Sequence, residues 1–296
     1  MRLSILIVNY NTETYIAELL DDISNQTLNP EDYEILLINN VQNDKLQQLI
    51  QQNFQDSKLN IQIINSEHNV GFGRAMNLGA HHAKGKHLLI GNPDLRLLQQ
   101  DYLERLVTHA EQQKNYGVIT TQLLNDDGTD TSEYYAYEFQ NNLGYENQIA
   151  WFCGAVMLMQ KSIFDQLKGF DDDFFMYCED EDLCLRVKQA GLALIKMNDL
   201  KIYHQGGSSE PLKDVAFYQR WFRSQLLFAY KHYPTADFEQ ILSSLEKKSH
   251  KKISLYRWIS FIRTSKIQNS YHKWQAIEDS IKKTRQDIDW LYVFKH

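Results

Sequence analysis

Short apolar runs alternate with amphipathic stretches through the first hundred residues, and this alternation restricts the fold more than any other feature of the chain. The runs fall at residues 3–8, 34–38, 61–64 and 87–90, with helical patterns at 14–25, 44–53 and 73–83 between them. Runs this continuous read as strands buried on both faces, and strands separated by helices join into a parallel sheet covered on both sides. In such sheets, ligands bind beyond the C-terminal ends of the strands. The polar groups just past each run are therefore the candidates: Asn9-Tyr10-Asn11, Asn39-Asn40 and Asn92-Pro93-Asp94. From about residue 115 the pattern changes. Residues 118–124 and 156–159 read as strands around a Tyr-rich polar loop at 125–147, followed by an acidic and aromatic segment at 169–182. A helix then runs to Ala190, a strand ends at Tyr203-His204, and beyond Pro211 the chain reads as helical, opening with a helix over 214–232.

The length of 296 residues accommodates one large α/β domain with an appendage, or two modest domains. A hydrophobic fraction of 43% with 23% charged residues is the profile of a globular chain. The formal net charge of −7 gives no reason to expect nucleic-acid binding. The N-terminal apolar run is too short for a signal peptide, and no stretch approaches the roughly twenty apolar residues of a membrane span. Cys153, Cys178 and Cys184 cannot all pair and match no zinc spacing, which points to small buried hydrophobes in a reducing, cytoplasmic setting.

Four segments carry chemistry. Glu179-Asp180-Glu181-Asp182 can be a solvated helix start, where acids favour the positive end of the dipole. It also follows Phe174-Phe175-Met176-Tyr177, and acids beside an apolar wall acquire the raised pKa values that suit a general base. Asn92-Pro93-Asp94 is good turn chemistry and equally a source of a hard-metal ligand beside a diphosphate. His204-Gln205-Gly206-Gly207-Ser208-Ser209 puts a histidine at a strand end, next to glycines that let backbone amides approach a phosphate. Residues 69–79 look superficially like a dinucleotide fingerprint, but Met76 stands at the third glycine position. What remains there is a glycine turn at a helix start with Arg74, suited to an anion.

Taken in order, residues 4–11, 69–79 and 92–94, Trp151-Phe152-Cys153-Gly154-Ala155, Gly169-Phe170-Asp171, and residues 174–182 and 204–208 resemble glycosyltransferase family 2, in particular its bacterial rhamnosyltransferase-like branch. The resemblance spans about residues 1–210. It implies a GT-A fold over 1–210, with a mixed, mostly parallel central sheet, followed by a helical region over 211–296. It also implies inversion at the anomeric carbon. By position, Asn92-Pro93-Asp94 is similar to the family's metal-binding DXD element, with Asp94 as ligand and His204 as the second, for Mn2+ or Mg2+. Asp180 matches the family's general base, with Glu179 and Asp182 shaping the acceptor side beside Trp151 and Gly154. Asn9, Asn11, Asn39, Arg74, Asn77 and Asn92 fall on the donor side. Two departures stand out. Asn39 replaces an acid that usually reads the nucleobase, and an amide both donates and accepts. The DXD element also carries a single acid, consistent with a weaker metal site or with one completed by the diphosphate.

The implied reaction moves a sugar from a nucleotide diphosphate, such as dTDP-rhamnose or a UDP-sugar, to a hydroxyl of a saccharide or lipid-linked glycan. A sugar-nucleotide-binding protein without transferase activity is the alternative. A sugar nucleotidyltransferase is disfavoured, because residues 9–16 contain no Gly, Lys or Arg for a phosphate loop. Finally, residues 247–274 hold eight Lys and Arg, no acid, and apolar residues including Leu255, Trp258, Ile259, Phe261 and Ile262. Such a segment either contacts an anionic membrane surface peripherally, or packs on the main domain or on a second subunit of a homo-oligomer.

Overall fold

A computed structural model describes residues 1–140, 143–206, 213–258 and 265–292, and the side chains of 140, 265 and 266 fall outside the description. Gly207, Ser208 and Ser209 of the glycine loop, and Ile259, Phe261 and Ile262 of the basic segment, therefore lie outside the described residues. In chain order the elements begin with β1 (Leu3–Asn9), α1 (Glu13–Ser24), β2 (Tyr33–Asn39), α2 (Lys45–Asn53), β3 (Ile61–Asn65) and α3 (Phe72–His82). Next come β4 (His87–Gly91), β5 (Leu95–Leu97), α4 (Tyr102–Gln112), β6 (Tyr116–Leu124), β7 (Glu133–Tyr134) and β8 (Trp151–Phe152). They continue with β9 (Val156–Gln160), α5 (Lys161–Gln166), α6 (Glu179–Gln189) and β10 (Ala193–His204), then α7 (Val215–His232), α8 (Thr235–Trp258) and α9 (Ser265–Gln286).

The main sheet has the order β3-β2-β1-β4-β9-β6-β10-β5. Strands β3, β2, β1 and β4 are mutually parallel, as are β6 and β10, whereas β9 runs antiparallel to both β4 and β6. This is the mixed, mostly parallel sheet expected. Side chains of successive strand residues point to opposite faces. Leu3, Ile5 and Ile7 accordingly pack under α1 and α4, while Leu6 and Val8 pack under α3 and α6. Alternation of runs assigns no element to residues 95–115, where α4 lies. The helical spacing of Tyr102, Leu103, Leu106, Val107 and Ala110, all buried, is what forms it.

The chain divides into two compact units. The larger contains the sheet. The smaller contains Asp173–Cys178, a short piece beginning at Glu138, and the chain from α7 onward. Within the smaller unit, Lys231 pairs with Asp173 at 2.6 Å and Ser224 Oγ donates to the carbonyl of Met176 at 2.7 Å. Phe228, Ala276, Ile277 and Ile281 supply buried contacts among its helices.

Parallel in-register pairing puts Asn9, Asn39 and Asn65 side by side at the C-terminal ends of β1, β2 and β3. Asn9 Nδ2 donates to Asn39 Oδ1 at 3.0 Å, and Asn39 Nδ2 donates to Asn65 Oδ1 at 3.0 Å and to the carbonyl of Asn43 at 3.2 Å. Asn9 Oδ1 in turn accepts from the amide of Thr12 at 3.0 Å. This amide ladder fastens three strand ends, and both N–H donors of Asn39 are used in it. Truncating a partner in a buried ladder leaves its neighbours unsatisfied. Asn39→Ala is therefore expected to lower stability by about 1–3 kcal/mol in thermal unfolding, a loss comparable to other broken buried hydrogen bonds.

Candidate functional site

The same sheet edge gathers the other strand-end groups. β4 ends at Gly91, and the turn beyond it is anchored by the amide of Asn92 donating to the carbonyl of Ala155 at 2.9 Å, just before β9 begins. β10 ends at His204, opposite Leu95 of β5. His204 Nε2 thereby lies 3.3 Å from Asp94 Oδ1 and 3.2 Å from Asn92 Nδ2, and Asp94 Oδ2 accepts from the amide of Gly206 at 3.0 Å. Asp94 is only 6% exposed, so little water competes for its oxygens. The tautomer with its proton on Nδ1 leaves Nε2 unprotonated, able to accept from Asn92 and equally able to bind a cation. A carboxylate oxygen and an imidazole nitrogen this close together fit a hard or borderline divalent ion such as Mn2+ or Mg2+. Among the described residues no group of three or more His, Cys, Asp or Glu is placed to hold a metal. Asp94 and His204 would thus supply part of a coordination shell, and ligand oxygens and water the rest.

One residue before Ala155, the amide of Gly154 donates to Asp180 Oδ2 at 2.7 Å, while Asp180 Oδ1 accepts from the amide of Glu181 at 3.0 Å. The row His204, Asn92, Ala155, Gly154, Asp180 is thus continuous. Helix α6 opens with all four acids, but not as a solvated start: Glu179, Glu181 and Asp182 are buried and Asp180 alone is half-exposed. The chain enters α6 through two successive left-handed residues, Tyr177 (φ 73) and Cys178 (φ 64), backbone strain of the kind that clusters at functional sites. Burial pushes the Asp180 carboxyl above its ordinary value. Burial, reinforced by the Asp180 charge, pushes Glu179 up to about 8, and Glu179 Oε2 is buried without a hydrogen-bond partner. Burial thus biases Glu179 towards its protonated form, and Asp180, half-exposed and held by backbone amides on both oxygens, is the carboxylate placed to receive a proton.

The remaining candidates divide. Asp182 turns to the opposite side of α6 from Asp180, where it is 1% exposed and pairs with Arg186 at 2.7 Å. Arg186 also donates to the carbonyls of Leu167 and Gly169. Asn77 braces the same turn, accepting from the amide of Phe170 at 2.9 Å and donating to its carbonyl at 2.8 Å. Gly169 sits at φ +67, and a Cβ there would lie 2.3 Å from Asn77 Oδ1, so the turn requires glycine. Arg74 Nε donates to the carbonyl of Asp172 at 2.9 Å. Asp182, Asn77 and Arg74 thus hold the loop leading towards α6. Asn9 and Asn39 sit in the amide ladder, and Asn11 is exposed at φ 57 beside it.

Trp151 occupies β8, where its ring stacks on Tyr134 of β7 with centroids 3.9 Å apart and planes within 7°. Trp151 Nε1 donates to the carbonyl of Ala136 at 3.1 Å, fixing the ring. Tyr134 remains 39% exposed, and its hydroxyl is pushed up to about 12, chiefly by burial and further by nearby acids including Asp180. It belongs to the site although residue-by-residue reading passes over it, because only the β7–β8 pairing brings position 134 to position 151. The Cys153 thiol is likewise pushed up to about 12, by burial and by Asp180, and stays neutral. None of the three cysteines forms a disulfide, and Cys178 and Cys184 are buried.

A half-exposed carboxylate, an aromatic step and a carboxylate–imidazole pair thus meet at the C-terminal edge of an α/β sheet, where such folds bind their ligands, an arrangement suited to group transfer. Comparison with known proteins agrees. The family model "Glycosyl transferase family 2" matches residues 4–168, and "N-terminal domain of galactosyltransferase" matches residues 136–205. The first of these covers more than half the chain, and the chain belongs to glycosyl transferase family 2. It is 27% identical over 217 residues to the rhamnosyltransferase WbbL of Escherichia coli K12, covering 64% of this chain and 78% of that one. It is 26% identical over 209 residues to the low-salt glycan biosynthesis hexosyltransferase Agl10 of Haloferax volcanii, covering 64% of this chain and 62% of that one. An N-acetylglucosaminyl-diphospho-decaprenol L-rhamnosyltransferase of Mycobacterium tuberculosis is 25% identical over 126 residues, covering 37% and 41% respectively. Among solved structures, the mannosyltransferase PcManGT from Pyrobaculum calidifontis, in complex with GDP-Man and Mn2+, matches with a TM-score of 0.61. It does so at 14% identity over 97% of this chain and 87% of that one, and the likeness establishes the GT-A fold.

Two outcomes follow from the geometry. A Cβ at residue 154 would lie 3.0 Å from Asp180 Cβ and 3.1 Å from its Oδ2, so Gly154→Ala displaces the carboxylate. Turnover is expected to fall by about 10²-fold, since small misplacements at reacting centres have effects of that order, with a thermal midpoint close to that of the parent. Glu179 is raised in the folded state, so its contribution to stability is fully present below its unfolded value near 4.5 and lost as pH rises towards about 8. Glu179→Gln is therefore expected to flatten the fall in thermal midpoint between pH 5 and pH 8, as followed by circular dichroism.

Proposed function

We propose that this glycosyltransferase inverts the anomeric centre, moving a sugar from a nucleotide-diphosphate donor to a hydroxyl of a growing surface glycan, with Asp180 as general base. The observation that carries this reading is the position of Asp180. It is the one half-exposed carboxylate of its cluster, and it is fixed by the Gly154 amide within the row that ends at Asp94 and His204.

The acceptor hydroxyl is a poor nucleophile at neutral pH, so it needs a base within hydrogen-bonding reach. Its oxygen attacks the anomeric carbon as the bond from that carbon to the diphosphate oxygen breaks, and its proton passes to Asp180. Burial raises the Asp180 pKa, which strengthens it as a base. Glu179 beside it is pushed towards its neutral form by burial and by the Asp180 charge. Asp94 and His204, with Asn92 alongside, would hold the divalent cation, which when bound supplies positive charge to the departing diphosphate. The half-exposed Tyr134–Trp151 stack offers a flat face to the C–H side of an acceptor pyranose, with Tyr134 close to the Asp180 charge. Chemistry is assigned to residues 1–210, with 211–296 as a helical accessory region. The donor is dTDP-rhamnose or a UDP-sugar; the likeness to the rhamnosyltransferase WbbL supports a rhamnosyl group, and the mycobacterial relative supports an acceptor saccharide on a polyprenyl diphosphate.

Asp180→Asn is expected to lower transfer by at least about 10²-fold, the usual contribution of a positioned base, while the donor still raises the thermal midpoint in the presence of Mn2+. Turnover like that of the parent would remove Asp180 from the role. Tyr134→Ala is expected to raise the acceptor KM by about tenfold with little change in donor KM, consistent with the loss of one aromatic stacking contact. An unchanged acceptor KM would place the acceptor elsewhere.

A further inference from the structure

The C-terminal helices carry a feature that sugar transfer does not use. Residues 210–296 hold 16 Lys and Arg against 9 Asp and Glu, on a chain whose overall charge is −7. Helix α8 shows how part of that charge is displayed. Leu242, Ser249 and Ile253 form its buried stripe. Lys247, Lys251, Leu255 and Trp258 are all exposed, and they recur at helical spacing along the outer side. Trp258 is 84% exposed and Leu255 is 51% exposed. Lys248 and Arg257 are exposed on the same turns. The nearby acids do not neutralise this face: Glu246 lies 3.5 Å from Arg285, and Glu278 lies 2.9 Å from Lys282 and 3.1 Å from His250.

We propose that the outer face of α8, formed by Lys247, Lys251, Leu255 and Trp258, docks on an anionic lipid surface. Its composition matches that of helices lying in the membrane interface, with cations at the level of lipid phosphates and an indole and a leucine reaching the acyl boundary. Tryptophan favours that interface because its ring is apolar and its N–H remains hydrated. A second copy of the chain fits poorly, since a two-fold contact would set the lysines of one face against the same lysines of the other. No helix among the described residues is long and apolar enough to cross a membrane, so the contact proposed is peripheral.

Each exposed Lys or Arg near an anionic surface strengthens binding about fivefold. The test is sedimentation of the full chain with sucrose-loaded vesicles of phosphatidylcholine, with and without about a third phosphatidylglycerol, at low and physiological salt. The chain is expected to pellet with the anionic vesicles and at least about tenfold less with the neutral ones, and salt should weaken the binding. Trp258→Ala, and separately Lys247→Glu combined with Lys251→Glu, should each reduce partitioning about tenfold or more, with thermal midpoint and transfer to a soluble acceptor unchanged. Failure of the parent chain to bind anionic vesicles overturns the proposal, as does undiminished binding by both variants. It is equally overturned if Trp258→Ala instead dissolves a dimer detected by ultracentrifugation without lipid. The vesicle assay uses neither donor nor acceptor, so its failure leaves the transferase reading untouched.

Discussion

In-register pairing of the strands is the constraint on which the rest of the site depends. Because β1, β2, β3 and β4 run parallel and β10 runs parallel to β6, their polar C-terminal residues arrive at one edge. Because β9 runs the other way, its N-terminal end, with Gly154 and Ala155 just before it, reaches the same edge. A slip of one residue between β4 and β9 would exchange the buried faces of one strand and separate Asn92 from Ala155. The apolar core under α1 and α4 on one face, and under α3 and α6 on the other, holds the register and therefore the chemistry.

Burial then sorts the four acids of α6 into different tasks. Asp182 answers Arg186 and steadies the Gly169 turn. Glu179 is buried and pushed towards its neutral form, with an oxygen that finds no donor. Asp180 is left half-exposed with one backbone amide on each oxygen, a geometry that fixes its direction without supplying a countercharge. Such a group can take up a proton at the edge of the sheet where Asp94 and His204 also meet. Its environment is set by main-chain groups, so side-chain size at residue 154 bears directly on it.

Much of this was legible in the sequence, and the physical reason is local. Continuous apolar runs mark strands buried on both faces, and the polar residues that end them mark the ligand edge, which is how Asn9, Asn39, Asn92 and Asp94 stand out. The GT-A class followed from the order of motifs. What local pattern does not carry is pairing between distant segments. Tyr134 meets Trp151 only through β7 and β8, and Asn77 meets Phe170 across 93 positions. Donor-side expectation for Asn77 and Arg74 rested on motif position, whereas their hydrogen bonds brace the Gly169–Asp172 turn. The spacing of Asp182 and Arg186 at i, i+4 was the one sequence signal that these two would pair.

A single base acting in one displacement has a stereochemical consequence that no binding or stability measurement reports. Proton NMR of the product, recorded during transfer from an accepted nucleotide-diphosphate sugar, reads the configuration at the anomeric carbon directly. The account predicts a product whose anomeric configuration is opposite to that of the donor from the first turnover. A product that retains the donor's configuration would contradict direct attack assisted by Asp180.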